Sequence, residues 1–224
     1  MHGLKLVLAG CNRFLTQHSS SLPHYPACIL NKSELRKQML ACRQRVSATE
    51  LSEAGRNVCR SLRDLVDIET TQWVAAYAAV GNEVDVSEFV DFCRKQRMET
   101  LFPRFDPVTS GYQMVNISYP ETQLRRGHYG ILEPVPELMP VAQEKLAAPE
   151  LVWLVPGLAF DRKLARLGRG RGYYDRMLNG VRGTKIGIGF DWQLLEDVPC
   201  NRHDVGMDVI VTDKQIVRSA ISSR

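Results

Sequence analysis

Leu151-Val152-Trp153-Leu154-Val155, closed by Pro156-Gly157, is the stretch from which the fold is read, and twenty residues on the same segment ends in Gly172-Tyr173-Tyr174-Asp175. Five consecutive apolar residues bounded by a turn signal describe a strand covered on both faces, the kind found in the middle of a parallel sheet. The run feeds Leu158-Ala159-Phe160-Asp161-Arg162 and then Leu167-Gly168-Arg169-Gly170-Arg171-Gly172. Alternating glycines let backbone N–H groups converge on an anion, and arginine adds a planar fork of donors that matches phosphate oxygens. A helix opening at Tyr173 and running to Leu178 would turn its first free N–H groups toward the same anion, with Asp175 placed for a metal ion. The spacing excludes a Walker A loop, which ends in Gly-Lys-Ser/Thr, and the G-x-G-x-x-G dinucleotide turn. An exposed, solvated Gly/Arg turn remains the bland reading of these residues.

Outward from this segment the chain alternates strands and helices. From Asn31 a helical period carries Leu35, Met39, Cys42 and Val46, and Ser47-x-x-Glu50 is a capping box that starts a second helix with Leu51, Ala54, Val58, Leu62 and Leu65 on one face. Both helices are expected to pack on a sheet. Lys32 and Arg36 lie one helical turn apart, either solvated or reaching a phosphate. Trp73 to Val80 reads as a strand and Ser87 to Lys95 as the helix after it, which makes a βα half of a parallel crossover. Glu83 falls at the carboxyl end of that strand, the edge where open α/β sheets bind ligands. Glu99 to Pro103, with Arg104 at the same edge, Thr184 to Phe190 and Asp208 to Thr212 are further strands, while Tyr112 to Tyr119 is an antiparallel excursion. Pro199 to Asp204 is a polar loop able to present Asp204 to a cation. Together these elements predict an α/β fold, one three-layer domain with a mostly parallel, mixed sheet flanked by helices.

A net charge of +4, from 29 Lys and Arg against 25 Asp and Glu, is concentrated between Arg162 and Arg176 and favours a small anionic ligand over a long polyanion. No apolar run reaches membrane-spanning length. The six cysteines show no CxxC pair and no zinc spacing, which suits small core residues in a reducing compartment. Residues 1–28, rich in Ser, Pro and His, read as a poorly ordered arm, and residues 29–224 as one folded domain. Leu8-Ala9-Gly10-Cys11 mimics a lipoprotein box, but the apolar stretch before it is too short for a secretory signal. The expectation is a cytoplasmic monomer that binds neither nucleic acid nor membrane.

The segment Leu154 to Asp161 with Arg166 to Asp175, followed by His203-Asp204-Val205 and Asp208 to Thr212, resembles the 5-formyltetrahydrofolate cyclo-ligase family, also called 5,10-methenyltetrahydrofolate synthetase. The likeness continues upstream through Gly81 to Asp85, Pro103-Arg104, Gly130 to Pro134, and Lys32 with Arg36, so it spans residues 30 to 217. The resemblance implies an ATP- and Mg²⁺-dependent ring closure of 5-formyltetrahydrofolate that yields ADP and phosphate. It also implies the site. Lys32, Arg36, Arg166, Leu167, Gly168, Arg169, Gly170, Arg171, Gly172, Tyr173 and Tyr174 would hold ATP, and Asp175 with Asp204 the Mg²⁺. Glu83 and Tyr129 would contact folate, while Arg169 and Tyr173 would serve both substrates at the reacting centre. Two other readings stand beside it: a nucleic-acid module stacking bases on Tyr173 and Tyr174, and a sugar-phosphate-binding protein of similar fold.

Overall fold

A computed structural model describes residues 31–127 and 130–219. The arm of residues 1–28 and the folate candidate Tyr129 lie outside the described residues. In chain order the elements are α1 (Lys32–Arg43), α2 (Ala48–Leu65), β1 (Trp73–Ala75), α3 (Ser87–Lys95), β2 (Glu99–Asp106), β3 (Gly111–Asn116), α4 (Pro120–Gln123), β4 (Leu124–Arg126), β5 (Leu132–Pro134) and α5 (Gln143–Leu146). There follow β6 (Leu151–Pro156), β7 (Ala159–Asp161), β8 (Arg166–Leu167), α6 (Tyr173–Met177), β9 (Thr184–Gly189), β10 (Leu194–Leu195), β11 (Val209–Thr212) and β12 (Ile216–Arg218).

The main sheet runs β12-β11-β9-β6-β1-β2-β3, which puts the apolar run Leu151–Val155 at its centre. From β2 across β1, β6 and β9 to β11 the strands are parallel, and β3 and β12 close the two edges antiparallel. The mixed, mostly parallel sheet expected from the sequence is present. Successive side chains of a strand point to opposite faces. Val152 and Leu154 accordingly enter the core beneath α2 and α3, while Leu151, Trp153 and Val155 enter a second core beneath α5 and α6. Trp153, Leu154 and Val155 are each at most 1% exposed, and full burial of such side chains contributes roughly 1.5–3 kcal/mol apiece. This explains why the run does not alternate with polar residues. The layer on the second face is thin, made of the short α5 and α6 and a small sheet ordered β10-β7-β8 rather than long helices.

The two N-terminal helices part company. α2 buries Ala54, Val58 and Leu62 against the main sheet. Its start is the capping box read from the sequence: the Glu50 N–H donates to Ser47 Oγ at 3.2 Å and the Ser47 N–H to Glu50 Oε2 at 2.9 Å. α1 instead packs Leu35 and Met39 on Leu158, Ala159 and Leu167 of the β7–β8 region, beside the carboxyl edge of the main sheet. Asn31 caps it, and it ends at Arg43, so Val46 reaches the core from the following turn.

The expected strand Trp73 to Val80 shortens to Trp73–Ala75. Ala76 still donates its N–H to Leu101 O at 2.8 Å, after which the chain turns through Gly81 and Asn82, both with positive φ. The buried Tyr77 hydroxyl donates to Val84 O at 2.7 Å and closes that loop. Burial holds the Tyr77 phenol well above its ordinary pKa, with Glu83 nearby acting in the same direction. Past the strand end Ala76 and Tyr77 still cover the core while the backbone curls to carry Glu83 inward. Among the described residues no helix is long and apolar enough to cross a membrane.

Candidate active site

At the carboxyl edge of the main sheet a cavity of about 580 Å³ opens between α1, the β1–α3 loop and the segment after β6. It brings together the residues that the sequence singled out from four separate regions: Lys32 and Arg36, Glu83, the whole run Arg166 to Asp175, and Asp204. Glu83 and the run after β6 meet through the sheet topology, since β1 and β6 are neighbours although far apart in sequence.

Arg36 donates from Nε to Gly168 O at 3.0 Å, tying α1 to the glycine loop. Gly170 (φ 97°) and Gly172 (φ 66°) adopt backbone that side chains disfavour, and a Cβ at Gly170 would sit 3.1 Å from Arg36 Cζ. The loop can therefore lie flat against the arginine only with glycine there. α6 follows Gly172, but it is five residues long, so its dipole adds little and the positive charge of the cavity comes from the Lys and Arg side chains that line it. Tyr173 stands edge-on to Tyr112, with ring centroids 4.9 Å apart, and carries the Arg176 guanidinium 5.1 Å above its ring.

Two buried arginines organise the carboxylates. Arg166, whose side chain is only 3% exposed, donates from Nη1 to Pro156 O at 3.2 Å and from Nη2 to Asp175 Oδ1 at 3.2 Å. Its fork is directed at the strand end and at Asp175, and it holds that carboxylate at the cavity wall. Arg43, with 4% of its side chain exposed, donates from Nη1 to Glu83 Oε1 at 3.1 Å and from Nη2 to Gly157 O. Desolvation lowers the Arg43 pKa and the Glu83 charge offsets part of that, a balance expected for a paired buried guanidinium. Glu83 Oε1 also accepts from Arg169 Nη2 at 3.0 Å, and Oε2 accepts from the Val80 N–H at 3.1 Å.

Asp175 and Asp204 are brought close by the backbone, because the N–H of Val205, next to Asp204, donates to Asp175 Oδ1 at 3.3 Å. Asp204 Oδ2 is ion-paired with Lys32 Nζ and accepts from the Asn201 N–H. Although burial opposes it, these donors hold the Asp204 carboxyl below its ordinary pKa. Asp175 Oδ2 and Asp204 Oδ1 make no hydrogen bond among the described residues. Two oxygen donors, with no third His, Cys, Asp or Glu grouped with them among the described residues, suit a hard cation that takes the rest of its shell from phosphate and water, as Mg²⁺ does.

Arg104, expected at the ligand edge, instead donates from Nη1 to Val135 O and Leu138 O, both at 2.8 Å, and pins the loop after β5. Its neighbour Pro103 lines the cavity. Sequence reasoning missed Arg43, Tyr77, Tyr112 and the carbonyls of Pro156 and Gly157. Arg43 sits on the buried stripe of α1, four residues after Met39, and a cation at an apolar position of a helix was the signal available.

The family model for the 5-formyltetrahydrofolate cyclo-ligase family matches residues 29–213. A 5-formyltetrahydrofolate cyclo-ligase of Haemophilus influenzae is 25% identical over 185 residues, covering 80% of this chain and 97% of its own. The cyclo-ligase of Mycolicibacterium smegmatis is 34% identical over 146 residues, covering 63% and 74%. Among solved structures, the 5,10-methenyltetrahydrofolate synthetase of Aquifex aeolicus superposes with a TM-score of 0.75 at 32% identity, covering 87% of this chain and 96% of that one. With the family's motifs gathered around one cavity and the match extending over most of its length, this chain belongs to the 5-formyltetrahydrofolate cyclo-ligase family of enzymes.

Proposed function

We propose that the protein converts 5-formyltetrahydrofolate and ATP to 5,10-methenyltetrahydrofolate, ADP and phosphate in a Mg²⁺-dependent reaction, and that residues 29–224 form its catalytic unit. The observation that carries this reading is the convergence of a phosphate-type loop, two neighbouring carboxylates and a separately held Glu83 on one cavity. The names of the relatives point the same way.

The chemistry explains why such a set is needed. A formamide carbonyl is a weak electrophile and its oxygen a poor leaving group. Attack of the formyl oxygen on the γ-phosphorus of ATP releases ADP and makes that oxygen part of a phosphate ester. N10 then attacks the activated carbon and loses its proton, and phosphate departs as the ring closes. The protein's task is to align two substrates and neutralise charge on the transferred group.

In this reading Lys32, Arg36 and the loop from Leu167 to Tyr174 hold the ATP phosphates, while Arg166 holds Asp175 in place. Asp175 and Asp204 would carry Mg²⁺, which supplies charge neutralisation and orientation for the phosphates. Lys32, now paired with Asp204, turns to a phosphate oxygen as the nucleotide enters. Glu83 accepts a hydrogen bond from the pterin, and Arg169 with Tyr173 stands where the two substrates meet. A nucleic-acid platform is disfavoured because Tyr173 is held edge-on by Tyr112 and covered by Arg176 rather than free to stack on bases.

Mixing the purified protein with MgATP and 5-formyltetrahydrofolate and following the near-ultraviolet absorbance of the methenyl product tests the proposal. Product formation that requires both ATP and Mg²⁺ is expected, and its absence with a folded protein refutes the reading.

A further inference from the structure

The consecutive carbonyls of Pro156 and Gly157, at the end of the central strand, each receive a buried arginine, and each arginine holds one carboxylate of the cavity. Arg166 links Pro156 O to Asp175, and Arg43 links Gly157 O to Glu83. Asp175 stands on the nucleotide side of the proposed site and Glu83 on the folate side. The bend after β6 is thus a common origin from which both sides are measured.

Arg43 is placed at some expense to the fold. Its side chain is 4% exposed and its Nε has no hydrogen-bond partner among the described residues. An apolar side chain would fill the same position on α1 without leaving a buried donor unsatisfied, so packing alone does not account for a guanidinium there. What the guanidinium supplies is a rigid bridge between a backbone carbonyl and a carboxylate. Glu83 has a second cationic partner in Arg169, but the Arg169 side chain is 50% exposed, on the glycine loop, and would reach a phosphoryl group by releasing Glu83 and Val80 O. Arg43 cannot leave.

On this basis we infer that Arg43 is a positioning residue for folate recognition: it fixes the Glu83 carboxylate against Gly157 O, leaving Oε2 with a lone pair for the substrate while Arg169 serves the phosphoryl group. The Val80 N–H already occupies one site on Oε2, so the geometry selects a single remaining acceptor direction. The inference rests on the reading of Glu83 as a folate contact.

The test compares wild type, Arg43→Met, Arg43→Lys, Glu83→Gln and the double variant Arg43→Met/Glu83→Gln, measuring KM for 5-formyltetrahydrofolate and for MgATP, and folate binding without nucleotide by calorimetry. Arg43→Met is expected to raise the folate KM and Kd about tenfold, the effect of misplacing one charged hydrogen bond, with the MgATP KM within about twofold. The double variant should be no worse than the poorer single variant, since both act through one carboxylate. Arg43→Lys retains the charge but cannot bridge both partners, and should fall between wild type and Arg43→Met. Should Arg43→Met fail to fold, a raised folate KM with unchanged MgATP KM in Arg43→Lys supports the inference and an unchanged folate KM overturns it. Equal changes in both KM values, or additive effects in the double variant, also overturn it. Wild-type turnover with unaffected Arg43 variants overturns this inference alone, whereas a folded wild type that forms no methenyl product overturns the functional reading on which it rests.

Discussion

Replacement of Gly170 by alanine isolates what the glycine loop contributes. Its φ of 97° lies outside the small left-handed region open to other residues, a strain of roughly 1–3 kcal/mol for alanine. The new Cβ would also stand 3.1 Å from Arg36 Cζ and 3.2 Å from Arg36 Nε, closer than the guanidinium tolerates without moving. Movement weakens the Arg36 bond to Gly168 O. Gly170 is exposed, so in the free protein the loop can relax, and little of this penalty appears in the melting temperature. It returns when nucleotide demands the original path. A net penalty near the middle of the strain range, about 2 kcal/mol, corresponds to roughly thirtyfold weaker nucleotide binding.

The assay is the KM for MgATP at saturating 5-formyltetrahydrofolate, together with direct nucleotide binding and a thermal melt. Gly180 provides the control, because its φ is 76° and an added Cβ there meets nothing within 4 Å. Gly180 is likewise exposed, so Gly180→Ala should change the melting temperature little and leave the MgATP KM unchanged. Should folded Gly170→Ala bind MgATP within about twofold of wild type, where thirtyfold is expected, the loop is not a phosphate cradle of the kind described.

Asp204→Ala should abolish metal-dependent turnover with the far-ultraviolet circular dichroism unchanged, and unaltered turnover would remove Asp204 from the site. The same carboxyl has a pH signature. Burial opposes ionisation, but Lys32 and the Asn201 N–H hold its folded pKa below the ordinary 3.8, so its stabilisation is complete above 3.8 and disappears as pH falls through the folded value. In urea unfolding, wild type should therefore lose more stability than Asp204→Asn between neutral pH and acid below 3.8, and parallel losses would refute the pairing. Burial pushes the thiols of Cys59 and Cys93 up to about 11 and about 12, whereas Cys200 is exposed. Alkylation of the native protein at mildly alkaline pH should label Cys200 and spare Cys59 and Cys93, and labelling of either buried thiol without unfolding would contradict the packing of α2 and α3.

The elements most legible in the sequence were those whose cause is local. The capping box at Ser47 and Glu50 depends on hydrogen bonds three residues apart, and α3 from Ser87 to Lys95 depends on a helical period. Less legible were features whose cause lies in another part of the chain. Trp73 to Val80 looked like one strand because it is a continuous apolar run, yet pairing stops at Ala75 and the remainder curls to present Glu83. Arg104 looked placed at the ligand-binding edge because the strand reads as ending at Pro103, but β2 continues to Asp106 and the carbonyls of Val135 and Leu138 claim the guanidinium.

By itself, then, the sequence determined the buried central strand, the parallel character of the sheet and the glycine conformations of the loop, since apolar continuity and glycine spacing act over a few bonds. It also carried the family's motifs in order along the chain. The tertiary structure alone decided that α1 lies over the β7–β8 region, that Asp175 and Asp204 become neighbours through Val205, and that Arg43 and Arg166 are buried against consecutive carbonyls at the end of β6. Those arrangements depend on which strands stand side by side, and side-chain forks find partners only after distant segments have been brought within hydrogen-bonding reach.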